Sequence, residues 1–292
     1  MRIGLLTMAS GSTRFSPLMP EVADLLKSWG AEVSQIHPDE DLAELVKVEV
    51  RHDLYVLKAG SELALSLAGA LHSAGANILN PYPTAAICRD KVVATRILQS
   101  AGVPVPETYV TARPERLAPL LDHGPLVVKP HRGTQGNGVR IAWDADQLDE
   151  MTPSGGVVFA QRYHRPDGRD RKIYCIGGQL FGVKRIWPAR TYEEKVGEPF
   201  ALSDELRAIT IRCGEAFGID VFGLDIILSD DRPFVVDISS FPGFKGVPEV
   251  ALRLADYIYA AAEQVVAGTA TLAGNGRGRA APSEPVQERP GQ

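Results

Sequence analysis

The first 80 residues alternate between short apolar runs and segments in which apolar side chains recur at helical spacing. The stretches 20–29 and 63–71 place apolar residues three and four positions apart, which predicts α-helices. β-Strands are predicted at 3–8, 33–36, 53–57 and 76–79. Because strands alternate with helices, the pattern predicts a parallel sheet covered on both faces, a Rossmann-like lobe.

Beyond residue 84, strand patterns follow one another more closely. Helices are predicted at 90–100, at 204–217 with an N-cap at Ser203 or Asp204, and at 248–266 as a closing helix. Strand patterns lie at 126–130, 139–143, 157–163, 172–177, 179–187, 222–228 and 233–239. Short connections between consecutive strands predict antiparallel neighbours.

Composition narrows the class of protein. A chain of 292 residues with 45% hydrophobic and 23% charged residues predicts a globular protein of two domains or several lobes. The net charge of -5 gives no overall basic field, so we expect no nucleic-acid or membrane partner. Residues 268–292 are rich in Gly, Pro and Ala without periodicity, which predicts a disordered tail.

The three cysteines, Cys88, Cys175 and Cys213, are far apart and lack metal-ligand spacing. They indicate neither a disulfide framework nor a zinc site, which fits a reducing compartment. The apolar run at the start, MRIGLLTMAS, is too short for a signal peptide or a spanning helix. We therefore expect a cytoplasmic protein, and the sequence leaves a homo-oligomer open.

A glycine-rich turn, HRGTQGNG, follows the predicted strand LVVKP and contains Gly133, Gly136 and Gly138. Without Cβ atoms, the backbone N–H groups of such a turn can approach phosphate oxygens closely. Its spacing matches neither a Walker A motif nor a Rossmann fingerprint, so a mobile turn is the alternative. Lys129 precedes the turn and Lys91 opens a helix after a predicted loop, which provides two ammonium groups for phosphates.

Two acids, Asp225 in GLDII and Asp237 in VVDISSFPGFKG, lie within apolar strand patterns. Burying an unpaired aspartate is costly, and a divalent cation removes that cost. Ser239 offers a further, neutral oxygen. The alternative places one aspartate at a turn and the other in solvent. Combined with phosphate-binding lysines, a paired-acid magnesium site points to ATP.

The ordered set of motifs resembles the ATP-grasp superfamily over about residues 1–266, in particular RimK- and glutathione synthetase-like carboxylate–amine ligases. The matching segments are NPYPTAAICRDK, LVVKP with its glycine-rich loop, QRYHRPDGRDRKIYCIG, GVKRI, GLDII and VVDISSFPGFKG. The resemblance implies an α/β fold in which a Rossmann-like lobe precedes two antiparallel-sheet subdomains that sandwich ATP. The implied limits are 1–83 for the lobe, 84–160 for the central subdomain, 161–267 for the C-terminal subdomain and 268–292 for the tail.

The resemblance also implies a role for each matching residue. Arg185 would be catalytic and stabilise the charge of the transferred phosphoryl group. ATP contacts would come from Lys91, Lys129, Gly133, Gly136, Gly138, from the adenine linker Gln161, Arg162 and Tyr163, and from Asp170 and Lys172 near the ribose and adenine. Mg²⁺, or Mn²⁺, would be held by Asp225, Asp237 and Ser239. Substrate contacts would come from Arg14, Lys58, Arg190 and Lys245.

The sequence departs from the family pattern at three places. Many of these ligases carry Glu-x-Asn as the last metal motif, where this chain has Asp237, Ile238 and Ser239. Arg162 stands where the linker often carries an acid. The Arg-Ser-Asn stretch of RimK-type glutamate ligases is absent, and residues 187–190 occupy that region.

Three functions are open at this point. DISSFPGFKG and Lys58 also resemble inositol trisphosphate kinases, which transfer a phosphoryl group to a hydroxyl. A net acidic chain with five candidate substrate cations better suits an acceptor with one or two carboxylates, so the favoured function is a ligase that joins an acyl phosphate to an amine. A non-catalytic ATP-binding protein is the third, and retention of the lysines, Arg185 and both aspartates argues against it.

Overall fold

The computed structural model describes residues 1–9, 11, 17–133, 138–149, 156–186, 191, 194 and 196–270. The predicted substrate residues Arg14 and Arg190 and the loop residue Gly136 lie outside these ranges, as does the predicted tail beyond residue 270. Among the described helices, none combines the length and the apolar character needed to cross a membrane.

The N-terminal lobe is a parallel sheet flanked by helices, as the sequence predicts. The strands β1 and β3 are apolar throughout or nearly so because helices cover both faces of the sheet, whereas the edge strand β2 is mixed. The sheet order is β2-β1-β3-β4. The elements are β1 (Arg2–Leu6), α1 (Leu18–Ser28), β2 (Glu32–Ile36), β3 (Leu54–Leu57), α2 (Glu62–Ser73) and β4 (Ile78–Leu79).

Two consecutive helices, α3 (Tyr82–Arg89) and α4 (Lys91–Ser100), lead out of the lobe. The loop predicted before Lys91 is absent, and a helix occupies most of that segment. The prolines of the NPYP segment fall at the start of α3, where the missing N–H costs nothing. Asp90 has extended dihedrals and separates the helices, and its carboxylate accepts hydrogen bonds from the N–H groups of Val92 and Val93 to cap α4.

The central sheet is antiparallel in the order β5-β8-β6-β7. A 3₁₀-helix at Pro114–His123 and the short α5 (Ala145–Asp149) cover it through a small apolar core that contains Leu117 and Leu148. The predicted hairpin around the glycine-rich turn is confirmed. The strands are β5 (Thr108–Thr111), β6 (Leu126–Pro130), β7 (Arg140–Ala142) and β8 (Val158–Arg162).

The third sheet is also antiparallel and has the order β11-β10-β9-β12-β13. Helix α6 (Asp204–Phe217) begins after Ser203, whose hydroxyl accepts from the N–H of Leu206, as the cap prediction requires. Strand β11 was not predicted because its three residues carry no pattern. The strands are β9 (Arg169–Ile176), β10 (Gln179–Ile186), β11 (Glu198–Phe200), β12 (Val221–Ser229) and β13 (Arg232–Ser240).

The closing helix α7 (Val250–Val266) packs against both the first lobe and the third sheet. Leu254 and Ile258 lie in one core with Val22 and Leu26 of α1, and the same core includes Tyr174 of the third sheet. The first lobe and the last sheet therefore share apolar packing, while the domain limits given by the sequence remain a prediction.

Candidate active site

One face of the third sheet is apolar, and the other carries charged residues at one end and packs against the core of α7 at the other. Residues such as Ile173, Leu224 and Ile238 face α6 and form its core. Because strand side chains alternate between faces, the residues between them point to the opposite side. There Asp225 pairs in register with Lys172 on one neighbouring strand and with Asp237 on the other. The antiparallel pairing expected for the two aspartates is confirmed.

A β-bulge shapes the strand that carries Asp237. Asp225 is opposite Asp237 and Ile226 is opposite Val235, so Val236 is an extra residue in the ladder. The carbonyl oxygen of Val236 accepts a hydrogen bond from Lys129 Nζ at 3.3 Å. The bulge thus connects the third sheet to the strand of the central sheet that precedes the glycine-rich turn.

Opposite charges alternate across the charged face. Lys172 Nζ contacts Asp225 Oδ1, and Arg185 contacts Asp170 Oδ2 from the next strand. Lys91 Nζ lies 3.8 Å from Asp237 Oδ2. Residues that the sequence places far apart, at 91, 129, 170–172, 185, 225 and 237, therefore come together between the central and third sheets.

Lys91 also contacts the base of the glycine-rich turn. Its Nζ donates to the carbonyl oxygen of Gly133 at 2.8 Å. At the other end of the turn, Gly138 has φ of 75°, and a Cβ there would lie 2.9 Å from Pro130 Cγ. Gly138 is therefore required for its backbone conformation as well as for its small size.

Burial in the site shifts the pKa values of several charged residues toward their neutral forms. Burial raises the pKa of Asp237 and the nearby Asp225 carboxylate raises it further, although the Asp237 side chain keeps 33% of its surface exposed in the crevice. Burial also lowers the pKa of Lys129 to about 8. Burial and the proximity of Asp225 raise the pKa of Asp170. A partly buried site with both signs of charge suits a metal-bound polyanion.

The donor set fits a hard divalent cation. Asp225 and Asp237 are cross-strand neighbours, and Ser239 follows two positions along the same strand and hence on the same face. The described residues contain no cluster of three or more His, Cys, Asp or Glu side chains placed to hold a metal ion, so the protein would supply only two carboxylates here. Two carboxylates and a hydroxyl would leave positions for water and phosphate oxygens, which is the coordination that Mg²⁺ prefers.

The first linker residue, Gln161, is engaged inside the protein. Its Oε1 accepts from Lys129 Nζ at 2.8 Å, and its Nε2 donates to Thr108 Oγ1 at 3.2 Å. The side chain therefore contacts a predicted phosphate-binding lysine.

The next two linker residues also have protein partners. Arg162 Nη1 donates to the carbonyl oxygen of Gly124 at 2.6 Å. The backbone N–H groups of Arg162 and Tyr163 donate to the carbonyl oxygens of Glu107 and Pro125. These N–H groups are thus occupied, so a base lying here would have to use other backbone groups of the linker.

A second cationic region lies at the carboxyl end of β3. Lys58 Nζ donates to the carbonyl oxygen of Phe241 at 3.2 Å, and burial together with the charge of Arg89 lowers the pKa of Lys58 to about 8. Arg89 Nη1 donates to the carbonyl oxygen of Gly60 at 2.8 Å. Sequence reasoning missed Arg89, although it stands two residues before Lys91 within NPYPTAAICRDK.

The turn after β13 brings this region beside the charged face. Phe241 and Phe244 are buried at positive φ, which for such residues requires support from the surrounding packing. Lys245 lies in this turn, between β13 and α7. The turn thus connects the strand of Asp237 and Ser239 to the predicted substrate side.

Comparisons with known proteins bear on this arrangement. Residues 88–262, more than half of the chain, match the family described as RimK-like ATP-grasp domain. A probable alpha-L-glutamate ligase of Saccharophagus degradans is 26% identical over 195 residues, which cover 60% of this chain and 64% of that protein. Another, of Shewanella loihica, is 23% identical over 220 residues, which cover 70% of this chain and 73% of that protein. The match thus spans less than two thirds of the first relative's length.

Solved structures share the fold at low identity. A RimK domain protein ATP-grasp from Sphaerobacter thermophilus superposes with a TM-score of 0.70 at 19% identity, over 88% of this chain and 99% of that one. D-cycloserine synthetase DcsG superposes with a TM-score of 0.72 at 17% identity, over 91% of this chain and 100% of that one. D-alanine–D-alanine ligase from Bacillus anthracis has a TM-score of 0.67 at 20% identity, over 92% of this chain and 97% of that one. With the family match over residues 88–262, the chain belongs to the RimK-like ATP-grasp family.

Proposed function

We propose that this protein is an ATP-dependent carboxylate–amine ligase. The observation that supports it most is the convergence of Lys91 and Lys129, from one side of a crevice, on the strand that carries Asp237 on the other. Names of relatives that end in ligase agree with this reaction class.

In this proposal, the two lysines bind the phosphates of ATP and the glycine-rich turn covers them. Asp225, Asp237 and Ser239 would hold Mg²⁺, or Mn²⁺ in its place. When bound, the metal would neutralise charge on the phosphate oxygens. Lys172 contacts Asp225 and would reduce the repulsion between the two carboxylates.

The transfer proceeds in two steps. An oxygen of the acceptor carboxylate attacks the γ-phosphorus, the bond from that phosphorus to the bridging oxygen breaks, and ADP leaves with the electron pair. The amine nitrogen then attacks the carbonyl carbon of the acyl phosphate, phosphate leaves, and the nitrogen loses a proton. Excluding water protects the acyl phosphate from hydrolysis, which is a role for the glycine-rich turn.

Arg185 is suited to stabilise the transferred group. Its side chain is 14% exposed, and Asp170 holds one end of the guanidinium. Its Nε is buried without a hydrogen-bond partner among the described residues. A buried N–H donor that lacks an acceptor is costly, and a phosphoryl oxygen would supply the acceptor.

The acceptor side is proposed at Lys58, with Arg89 added to the predicted set. Both cations lie at the carboxyl edge of the parallel sheet, where such sheets bind ligands. Glu62 already lies 3.7 Å from Arg89, so the buried ammonium of Lys58 is the group that would gain most from an anionic ligand, such as a carboxylate of an amino acid or peptide. Arg14, Arg190 and Lys245 remain predicted substrate contacts. Asp170 and Lys172 are proposed to position Arg185 and Asp225 in addition to approaching the nucleotide.

The reaction can be tested by measuring ADP and free phosphate with Mg-ATP across amino acids, glutamate-ended peptides, dicarboxylates and inositol phosphates. The ligase predicts one phosphate released per ADP and an amide product detected by mass spectrometry. ADP formation with the phosphate retained on an inositol phosphate would instead establish a kinase. ATP binding without turnover on any acceptor would favour the non-catalytic alternative.

A further inference from the structure

Lys129 and Gln161 are diagonal neighbours on one face of the central sheet. Val127 is opposite Gln161 and Lys129 is opposite Phe159, so both polar side chains point to the same side. Gln161 is 2% exposed and Lys129 is also buried. A buried amide contacting a buried ammonium is a specific arrangement, because either group would be costly to bury alone.

The hydrogen bonds fix the orientation of both side chains. A lysine ammonium only donates, so the amide oxygen of Gln161 must face Lys129. The amide nitrogen then faces Thr108 Oγ1, whose own proton is donated to the carbonyl oxygen of Pro106 at 2.8 Å. Thr108 is thus an acceptor for Gln161, and the chain of donors and acceptors is consistent along its whole length.

The ammonium of Lys129 has three N–H donors. Two have acceptors in the described residues, Gln161 Oε1 at 2.8 Å and the bulged carbonyl of Val236 at 3.3 Å. These acceptors come from different sheets, so together they restrict rotation of the ammonium. The third N–H then has a defined direction.

We propose that Gln161 is a positioning residue, which aims the third N–H of the Lys129 ammonium at a phosphate oxygen of the bound nucleotide. The inference rests on the proposed role of Lys129 in ATP binding. It assigns to the Gln161 side chain a role other than contact with adenine. Pre-orientation of a flexible lysine lowers the entropy lost when phosphate binds.

The test is a double-mutant cycle with Gln161→Met, Lys129→Met and the double variant. Binding of the non-hydrolysable analogue AMPPNP with Mg²⁺ is measured by calorimetry, and stability by thermal unfolding. We expect Gln161→Met to weaken binding about 10-fold and Lys129→Met about 100-fold, with the double variant within about 3-fold of Lys129→Met. Gln161→Glu keeps an oxygen acceptor toward Lys129 and should stay within about 3-fold of wild type.

Thr210→Val is the matched control, since it removes a buried side-chain hydrogen bond, to the carbonyl of Leu206, on the remote helix α6. It should lower the unfolding temperature without changing nucleotide affinity. If Gln161→Met does not fold, Thr108→Ala removes only the second partner of the amide and should weaken binding about 3-fold, again only while Lys129 is present.

Three results would overturn the inference, and they are distinguishable. Wild-type affinity in Gln161→Met, or in Thr108→Ala where that variant replaces it, would show that the amide does not position the lysine. An undiminished loss from either substitution in the Lys129→Met background would show that it acts independently of Lys129. Wild-type affinity in Lys129→Met would refute the phosphate-binding role itself, and with it the basis of the proposal.

Discussion

The charged residues of the candidate site gain their properties from their surroundings. Asp237 has a raised pKa and Lys129 a lowered one, although the two charges attract, because burial is the larger effect on each. Folding therefore disfavours the charged form of each group. This is the pattern expected of residues retained for binding and catalysis at some cost in stability.

Asp237→Asn is expected to reduce ADP formation at least about 100-fold, because one carboxylate of the proposed metal site is lost. The unfolding temperature should not fall by more than a few degrees, since the raised pKa of Asp237 means that its charge opposes folding at neutral pH. Coupled ADP assays and circular dichroism measure the two effects. Asp24→Asn, at a side chain 79% exposed, is the control, and wild-type turnover in Asp237→Asn would contradict the metal role.

Lys58 predicts a pH dependence of stability. Its pKa falls from 10.5 to about 8 on folding because of burial and Arg89. Between pH 8 and 10.5 the unfolded chain binds more protons at Lys58 than the folded chain does, so the free energy of unfolding rises with pH across this window. The destabilisation caused by burying the charged lysine is complete below about pH 8. In urea unfolding, wild type should therefore gain stability relative to Lys58→Met from pH 8 to 10.5.

The control for this measurement is Lys47→Met, at an exposed lysine on a short 3₁₀ turn. Its stability should follow that of wild type at every pH. If Lys58→Met also ran parallel to wild type, Lys58 would not be desolvated, and the argument for an anionic ligand beside it would fail.

At the level of elements, the β12–β13 hairpin determines the geometry of the site. Its bulge frees the Val236 carbonyl for Lys129, and the turn that follows places Phe241 against Lys58. Gly223 lies opposite Ser239 in the hairpin. A Cβ on Gly223 would lie 2.9 Å from Pro242 Cγ and 3.1 Å from Tyr174 Cδ1.

Gly223→Ala should therefore displace the turn, because a proline ring cannot move away as a flexible side chain does. We expect a loss of about 1–3 kcal/mol in the free energy of unfolding and a larger proportional loss of ATP turnover. Gly243→Ala in the same turn is the matched control, since a Cβ there meets no atom within 4 Å and φ is not in the left-handed region. Equal effects of the two substitutions would contradict this role of Gly223.

At the scale of the whole molecule, α7 couples the first lobe to the third sheet. Its apolar face lies in the core that α1 and the sheet share, and Trp29 at the end of α1 contacts Tyr259 edge-on at 5.7 Å. Helix α7 therefore fixes the third sheet, which forms one wall of the candidate site, relative to the first lobe.

Leu254→Ala should destabilise the lobe and the sheet together, by about 2–5 kcal/mol, because it opens a cavity in their common core. Urea unfolding followed by far-ultraviolet circular dichroism and by tryptophan fluorescence should give coincident, lowered midpoints. Val266→Ala, at a side chain 60% exposed on the same helix, should have little effect. Separate midpoints for the two signals would show that the parts unfold independently.

The sequence by itself determined the elements with strong periodicity and the fold class. The strands of the first lobe, α6 with its cap at Ser203, and the paired strands of Asp225 and Asp237 agree with their predicted positions to within a few residues. These elements follow from local spacing of apolar residues, which a single chain displays directly. Helix α3 and strand β11 escaped prediction because prolines and short length hide such a pattern.

Only the tertiary structure decided which side chains contact each other at the site. The contact of Gln161 with Lys129, the effect of Arg89 on Lys58 and the hydrogen bond from Lys129 to the Val236 carbonyl each join segments about 30 or more residues apart. No local pattern encodes such contacts, since they depend on the register and packing of whole sheets. The sequence therefore predicted which charged residues form the site, and the tertiary structure determined how those charges are paired.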